Sequence, residues 1–441
     1  MTRQHGTALG PLAGAFWMIL ATVPLPAGSA DAGAAPTPRA VLALPDCQRS
    51  TLRNALDNLP AAGGVIELPA QDCDWGSQTI SVNLNGRNLW LRGAGSQGAT
   101  RTVLRRSNPA HASQALTLTC SGNEQVEVSD LAFEGAMLAD SGGTDGTRLE
   151  GALKLDGGCQ EFKLHDLSFD RFSKSGIEIR GADSRGVIYD SRFTNNYNTR
   201  SPGNGEGYGV VVYENSGSAV PRAPLALGSG QAVFIEDNYF KANRHSIASN
   251  SNSRYVVRHN DIIQVRTTRG TAAVDAHGRG AYPPGSRSWE IYNNYFYYDA
   301  ADPAYPGSDW AATGIGIRGG DGVVFGNLLD GSNRPGNNLT IRNVMSLTSE
   351  SSCSAAAGTE HETVQAHLWG NSWQAGSAGG ELDDQGNPII VRVYPSACNS
   401  RFREGHEYHL LDAQPDWYTS FPYPHYLRLE GDAIFADGFE E

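Results

Sequence analysis

Five side chains suited to acid–base chemistry on an acidic sugar occupy equivalent places in short, similar segments. The segments contain GIEIR, GVVVY, SIASN, VDAH and GIGIR, and their equivalent residues are Arg180, Tyr213, Asn250, His277 and Arg318. Arginine holds carboxylates through paired hydrogen bonds, histidine and tyrosine transfer protons, and an amide orients a carboxylate. Two positions earlier stand two acids, Glu178 and Asp275. The alternative interpretation is a hydrated polar face whose charges pair with one another.

These segments alternate apolar and polar residues, which is typical of short strands. The inward positions are Leu153, Leu155, Ile177, Ile179, Val210, Val212, Ile247, Val274, Ala276, Ile315 and Ile317. A second segment type follows, at 126–133, 162–169, 187–193, 233–240, 255–262 and 289–296. It repeats at intervals as short as 24 residues (166 to 190) and 22 residues (237 to 259). Such periods indicate a solenoid. Coils stacked at about 4.8 Å place the five residues in a ladder roughly 20 Å long.

The chain opens with the segments TLRNALDNLP, GGVIELPAQDC and LWLRGAGSQG. Together with the repeated segments, this opening resembles the right-handed parallel β-helix proteins of the pectate-lyase-like superfamily. The resemblance implies an all-β fold, a single-stranded right-handed parallel β-helix over residues 45–345. It also implies a helical N-terminal cap at 51–59 and an irregular C-terminal cap or extension over 346–430. A run of asparagines at Asn238, Asn260, Asn294 and Asn327 is expected to stack at a turn of this solenoid.

Residues 274–278 read VDAHG. Mannuronan C5-epimerases of the β-helix class carry an Asp-Pro-His-Asp motif, which this segment resembles as Asp275-x-His277. Ala276 stands for the proline and Gly278 for the second aspartate. The resemblance implies that Asp275 and His277 belong to the reacting site.

The two ends of the chain indicate an exported bacterial protein, extracellular or periplasmic. Residues 1–32 are predicted to be a signal peptide, because an apolar stretch from 9 to 25 precedes small residues suited to cleavage. A membrane anchor is the alternative, but prolines interrupt the apolar run. Residues 33–44 read as a linker. The acidic tail at 431–441 resembles a short ending found on some exported proteins of Gram-negative bacteria.

Six cysteines fit export, since disulfides persist in oxidising compartments. Six cysteines allow 15 pairings. Nearest-neighbour pairing is preferred and gives Cys47 with Cys73, Cys120 with Cys159, and Cys353 with Cys398.

The composition excludes several classes of protein. The 52 glycines and 22 prolines argue against a helical bundle, and 39% hydrophobic residues argue against disorder. A net charge of −13 argues against nucleic acid as the main partner. We expect a monomer that binds an acidic polysaccharide and no membrane once the signal is removed.

Two insertions, at 194–232 and 297–313, interrupt the repeat and are expected to wall a groove. Tyr298 and Trp310 in the second are candidates for stacking on sugars. Its aspartates, at 299, 302 and 309, make calcium a possible ligand without the spacing of an EF-hand. No other cofactor is expected.

The leading hypothesis is a secreted polysaccharide lyase that cleaves a uronic-acid polymer by β-elimination. His277 and Tyr213 are the expected proton-transfer groups, and Arg180, Arg318 and Asn250 are expected to neutralise the carboxylate. Glu178 and Asp275 are expected substrate contacts. The alternatives are a glycoside hydrolase that uses these two acids, a C5-epimerase on the same scaffold, and a non-catalytic glycan-binding protein or adhesin.

Overall fold

The computed structural model describes residues 40–107, 113–136, 150–197, 206–214, 223–268, 272–278, 285–307, 312–330, 341–348, 363–374, 380–393 and 402–429. Within them the strands form one twelve-stranded and two ten-stranded sheets. The predicted signal peptide and the acidic tail lie outside the described residues. No described helix is long and apolar enough to cross a membrane.

Each coil contributes one strand to each of three sheets, which we name A, B and C in the order in which the chain visits them. Sheet A consists of Val41–Ala43, Gly64–Glu67, Leu89–Arg92, Gln125–Ser129, Glu161–His165, Gly186–Tyr189, Val233–Glu236, Arg254–Arg258, Ser288–Tyr292, Asp321–Phe325, Ala366–Trp369 and Tyr408–Leu410. Sheet B consists of Asp72–Asp74, Thr102–Arg105, Leu131–Glu134, Ser168–Asp170, Arg192–Thr194, Tyr239–Lys241, Asp261–Val265, Tyr295–Asp299, Leu328–Asp330 and Ser372–Trp373. Sheet C consists of Ile80–Asn83, Ser113–Thr119, Glu150–Asp156, Ser175–Arg180, Tyr208–Tyr213, His245–Asn250, Ala272–Ala276, Thr313–Ile317, Met345–Leu347 and Val391–Val393.

Neighbouring strands in all three sheets are parallel, for example Gly186–Tyr189 against Val233–Glu236 in sheet A and Ser175–Arg180 against Tyr208–Tyr213 in sheet C. The fold is therefore the predicted single-stranded right-handed parallel β-helix. The predicted inward residues of sheet C are buried in the core. Phe133, Phe169, Phe193 and Phe240 stack along the interior with ring centroids 5.1, 5.0 and 4.7 Å apart.

The turn from sheet A to sheet B fixes the register of the coils. One residue with positive φ makes this turn in successive coils, at Asp130, Asp166, Asp190, Asp237, His259 and Asn293, and Asp and Asn tolerate this conformation better than most residues. The asparagine that follows His259 donates from Nδ2 to Asn294 Oδ1 at 2.9 Å, and Asn294 donates to Asn327 Oδ1 at 3.0 Å. Asn238 donates in the same way to Asn260 at 3.1 Å. The predicted asparagine stack is confirmed, and it extends to Asn371.

The first coil is covered by the helix Arg49–Asp57, which buries Leu52, Ala55 and Leu56. This is the predicted cap, displaced by two residues. The disulfide Cys47–Cys73 lies beside it, and Cys120–Cys159 links a later coil. Both pairings were predicted. The third pair, Cys353 and Cys398, lies outside the described residues.

The coils continue beyond residue 345, where the sequence predicts the end of the solenoid. Sheet A gains Ala366–Trp369 and Tyr408–Leu410, and sheet C gains Val391–Val393. At the other end, the strand Val41–Ala43, which lies inside the predicted linker, pairs with Gly64–Glu67. The repeat is hard to recognise in these parts because long connections separate strands of only three or four residues.

The C-terminal segment 412–429 packs across the outer face of sheet A and is held there by buried charges. Arg258 and Glu236 are both fully buried and paired at 2.6 Å. Arg258 also donates to the carbonyl oxygens of Phe421 at 2.7 Å and Pro422 at 2.9 Å. Arg428 donates to the other oxygen of Glu236 at 3.0 Å. Although burial raises the pKa of Glu236, Arg258 leads the contacts that hold it below its ordinary value.

We expect Arg258→Met to destabilise the protein by about 3–5 kcal/mol, because it leaves the Glu236 carboxylate buried beside only one cation. The double variant with Glu236→Gln should recover part of that loss. Urea unfolding followed by tryptophan fluorescence measures both. A single variant as stable as the parent would contradict the role given to this pair.

Candidate active site

The register of sheet C brings the predicted ladder together. Arg180 pairs with Tyr213, and Tyr213 with Asn250, on adjacent strands. The next two coils add His277, whose N–H donates to Ser249 O at 3.0 Å, and Arg318, whose N–H donates to Ala276 O at 2.8 Å. Residues far apart in the sequence thus stand one coil apart on one face.

A cavity of about 220 Å³ opens on this face. Four of the predicted residues line it: Arg180, Tyr213, Asn250 and His277. Its other lining residues are Lys174, Glu206, Tyr208, Val211, Ala248, Ser249 and Ser251. The cavity therefore combines cations, phenols, hydroxyls, an amide, an imidazole and a carboxyl group.

Glu178 lies beneath one end of the cavity and anchors the cations there. Its side chain is 1% exposed and ion-paired with Lys174 at 2.7 Å and Arg180 at 3.0 Å. Gln114 donates to it at 2.8 Å. Although burial raises the pKa of Glu178, Lys174 and Arg180 hold it below its ordinary value. The expectation of a substrate contact is corrected: Glu178 is buried and positions the groups that face the cavity.

Tyr213 stands between the cations and the imidazole. The Arg180 guanidinium carbon lies 4.7 Å from the centroid of its ring, within the range of a cation–π contact. Burial raises the pKa of the Tyr213 phenol well above its ordinary value. The phenol is therefore protonated at neutral pH and is suited to give a proton rather than to take one.

Asp275 organises the other end of the site. Arg318 donates to it from both Nε, at 3.1 Å, and Nη2, so that both carboxylate oxygens are engaged. His277 Nε2 lies 3.2 Å from Asp275 Oδ2. Burial raises the pKa of Asp275, but the Arg318 guanidinium beside it holds that pKa well below its usual range. Like Glu178, Asp275 is buried, 4% exposed, and its carboxylate is engaged by groups of the protein, which does not fit the expected substrate contact.

The ionised Asp275 fixes the tautomer of His277. An imidazole that donates from Nε2 to a carboxylate carries its lone pair on Nδ1. The Ser286 N–H donates to the His277 carbonyl oxygen at 2.8 Å, and the His277 N–H donates to Ser249 O. The His277 backbone is therefore held by hydrogen bonds at both its N–H and its C=O. The pair is arranged as an oriented base of the Asp–His kind.

A second histidine, His245, lies behind Asp275. Its Nδ1 donates to Ala272 O at 2.6 Å, and its Nε2 lies 3.8 Å from Asp275 Oδ2. Burial lowers the pKa of His245 to about 3, so this imidazole is neutral. It packs beside Tyr208, with ring centroids 5.8 Å apart, and supports the site without facing the cavity.

Asn250 has its amide oriented by its own neighbour. The Ser251 N–H donates to Asn250 Oδ1 at 2.7 Å. The carbonyl oxygen of the amide is therefore engaged within the protein, and the residue lines the cavity.

Sequence reasoning missed Lys174, Glu206 and Tyr208. Simple alternation places Tyr208 with Val210 on the inward side, but an added Cβ at Gly209 would meet the Phe240 ring at 2.8 Å. Gly209 and Val210 therefore both face the core, and Tyr208 turns outward to join Val211 and Ala248. The signal was the glycine at the second position of the strand, which recurs at Gly176. Glu206 precedes the same strand and carried no signal of its own.

The second predicted insertion differs from expectation. Tyr295–Asp299 is a strand of sheet B, and the Tyr298 side chain is fully buried in the core, so it does not wall a groove. Trp310 and Asp309 lie outside the described residues. Asp299 and Asp302 pair with Lys241 at 3.4 and 2.7 Å. The described residues contain no cluster of three or more His, Cys, Asp or Glu side chains arranged to hold a metal ion.

The sequence matches no protein-family model, and no curated protein matches it. Among solved structures the chain is similar to an alginate lyase from Paenibacillus sp. FPU-7, with 13% identity and a TM-score of 0.48, over 80% of this chain and 99% of that one. It is also similar to the A-module of a mannuronan C-5 epimerase from Azotobacter vinelandii, with 13% identity and a TM-score of 0.35, over 83% and 96% of the two chains. A third is the catalytic unit of a GH87 α-1,3-glucanase from Streptomyces thermodiastaticus, with 12% identity and a TM-score of 0.41, over 82% and 64%.

The two histidines beside Asp275 should differ in reactivity. The His277 side chain is 29% exposed and that of His245 5%. Diethyl pyrocarbonate should therefore label His277 at least about tenfold faster, because His245 reacts only after local opening. Mass spectrometry of the digested protein gives both rates, with the exposed His406 as reference. Equal labelling of His245 and His277 would contradict the geometry.

Proposed function

We propose that the cavity on sheet C binds an acidic polysaccharide and cleaves it by β-elimination at a uronate residue. The observation that carries this proposal is the placement of an Asp-oriented imidazole, a protonated phenol and anchored cations around one cavity. Elimination at a uronate needs a base, an acid and a neutralised carboxylate.

In the proposed reaction, Arg180 and Asn250 hold the substrate carboxylate and stabilise the charge that develops on it. His277 Nδ1 takes the C5 proton. The electron pair of that C–H bond forms the C4–C5 double bond while the C4–O bond breaks. Tyr213 gives its proton to the departing glycosidic oxygen. Proton return from His277 to Tyr213 through solvent restores both groups.

Arg318 and Asp275 act as positioning residues in this scheme. Arg318 binds Asp275 through both Nε and Nη2. These two contacts keep Asp275 ionised and His277 in one tautomer. This differs from the sequence-based expectation that Arg318 neutralises the substrate carboxylate directly.

The arrangement disfavours hydrolysis by Glu178 and Asp275. The register places Val211 and Ala248 between them in the same column, so they stand three coils apart, about 14 Å. Paired carboxylates in glycoside hydrolases stand about 5–9.5 Å apart. Both acids are also ionised and paired, so neither has a proton to give to a leaving group.

We also propose that the protein is exported. The structure contains two disulfides, which persist in oxidising compartments. Residues 1–32 supply the predicted signal, and a polymer too large to enter a cell requires an enzyme outside it.

Incubation with polymannuronate, polyguluronate, polygalacturonate or a glycosaminoglycan should generate the ultraviolet absorbance of an unsaturated uronate. His277→Ala and Tyr213→Phe should each lower kcat by about 10²–10⁴-fold. Tyr239→Phe is the matched control, because Tyr239 lies under Arg192 at 4.2 Å on sheet B, away from the cavity.

The products separate the alternatives. Reducing ends without unsaturation indicate hydrolysis, and solvent deuterium at C5 without cleavage indicates epimerisation. Binding that persists in His277→Ala, with no turnover by the parent protein, indicates a glycan-binding protein. Any of these three results contradicts the proposed lyase.

A further inference from the structure

The cavity contains one carboxyl group that the proposed reaction does not use. Glu206 lines the wall beside Lys174 and Arg180. Its Oε2 atom is buried and accepts no hydrogen bond from the residues that the structure describes. Every other acid at this site is engaged: Glu178 by two cations and Asp275 by Arg318. A buried carboxylate oxygen that accepts no hydrogen bond is costly when the group is ionised and less so when the group is protonated.

The groups around Glu206 are mostly positive. Lys174, Arg180 and Arg244 face it, and Glu178 is the one acid among its strongest charged neighbours in the described residues. Tyr208 opens the strand that Glu206 precedes, and burial keeps its phenol protonated by raising its pKa to about 12. Burial is the largest influence on Glu206 and raises its pKa above the ordinary value, even against these cations.

Two of the three cations are shared with Glu178, whose carboxylate offsets one of the three positive charges. If Glu206 is ionised, it offsets a second positive charge and also repels an incoming carboxylate. If Glu206 is protonated, the positive excess stays available and its O–H can donate to a carboxylate oxygen. The two protonation states therefore differ in affinity for an acidic sugar.

We propose that Glu206 takes up a proton when an acidic sugar occupies the cavity, and that this proton makes the site selective for uronates over neutral sugars. The inference rests on the proposed function, since it requires a uronate in this cavity. By linkage, the proton favours the ligand by the same factor by which the ligand favours the proton. One linked proton weakens binding by up to about tenfold for each unit of rising pH.

The test is calorimetric titration of a mannuronate tetrasaccharide and a galacturonate tetrasaccharide into the full mature chain with His277→Ala, which prevents turnover. Repeating the titration in buffers of different ionisation enthalpy gives the number of protons bound. We expect proton uptake wherever Glu206 is ionised in the free protein, and binding that weakens as rising pH removes that proton, at higher pH than for an ordinary glutamate because burial raises the pKa of Glu206.

Glu206→Gln, in the same background, should abolish the proton uptake and the pH dependence, because its amide is neutral throughout. Glu161→Gln is the charge-matched control, since Glu161 is exposed on sheet A, and it should retain both. Cellotetraose, a neutral tetrasaccharide, should bind without proton uptake and more weakly than the uronates.

The outcomes are distinguishable. Uronate binding without proton uptake, or uptake that survives Glu206→Gln, overturns the role of Glu206 and leaves the proposed function standing. Failure of both uronates to bind overturns this inference, whereas the proposed function is overturned only if none of the four polymers yields an unsaturated product. Equal affinity for cellotetraose and the uronates overturns the selectivity.

Discussion

The structure depends on the register of its stacked coils. Because side chains alternate along a strand, a shift of one residue in any coil would exchange its inner and outer faces. The branched and aromatic interior and the asparagine stack at the turn from sheet A to sheet B both oppose such a shift. Insertions are therefore confined to connections, and residues as distant as Arg180 and Arg318 still meet on one face. The site therefore depends more on the register of the coils than on any single residue.

Burying carboxylates on that face costs folding free energy. Glu178 and Asp275 are removed from water, which is costly for a carboxylate unless cations and hydrogen bonds compensate. The structure compensates with Lys174 and Arg180 for the first and with Arg318 for the second. The same pairs hold a cation and an imidazole in place before any ligand arrives, so that less ordering is required on binding. Acids that serve this purpose are poorly suited to give or take protons themselves.

Much of this arrangement was predictable from the sequence, for a physical reason. Alternation and repeat length specify which residues point outward and which coils are neighbours, and these are the properties that created the ladder from Arg180 to Arg318. How deeply each side chain is buried was not predictable in the same way. Glu178 and Tyr298 read as surface residues, yet the first is covered by Lys174 and Arg180, which flank it on its own coil, and the second belongs to an ordinary strand of sheet B.

Tyr208 and Glu206 could not be assigned to the site from the sequence pattern. Tyr208 faces outward only because Gly209 allows the backbone to pack against Phe240, a contact between coils that no single segment reveals. Glu206 lies in a connection, where no period constrains the side chain, and its surroundings come from elements on either side of it. Such positions become interpretable only once the neighbouring coils are in place.

The net charge of −13 gives this local arrangement a further meaning. At long range an acidic protein repels an acidic polymer, but charges on its surface are screened beyond a Debye length of about 8 Å at physiological salt. For the proposed acidic ligand, attraction must therefore come from cations that meet it at short range inside the cavity. Lys174 and Arg180 lie in the cavity wall, but each is partly neutralised by Glu178. The protonation of a single carboxyl group such as Glu206 then changes a large fraction of the charge available to hold the ligand.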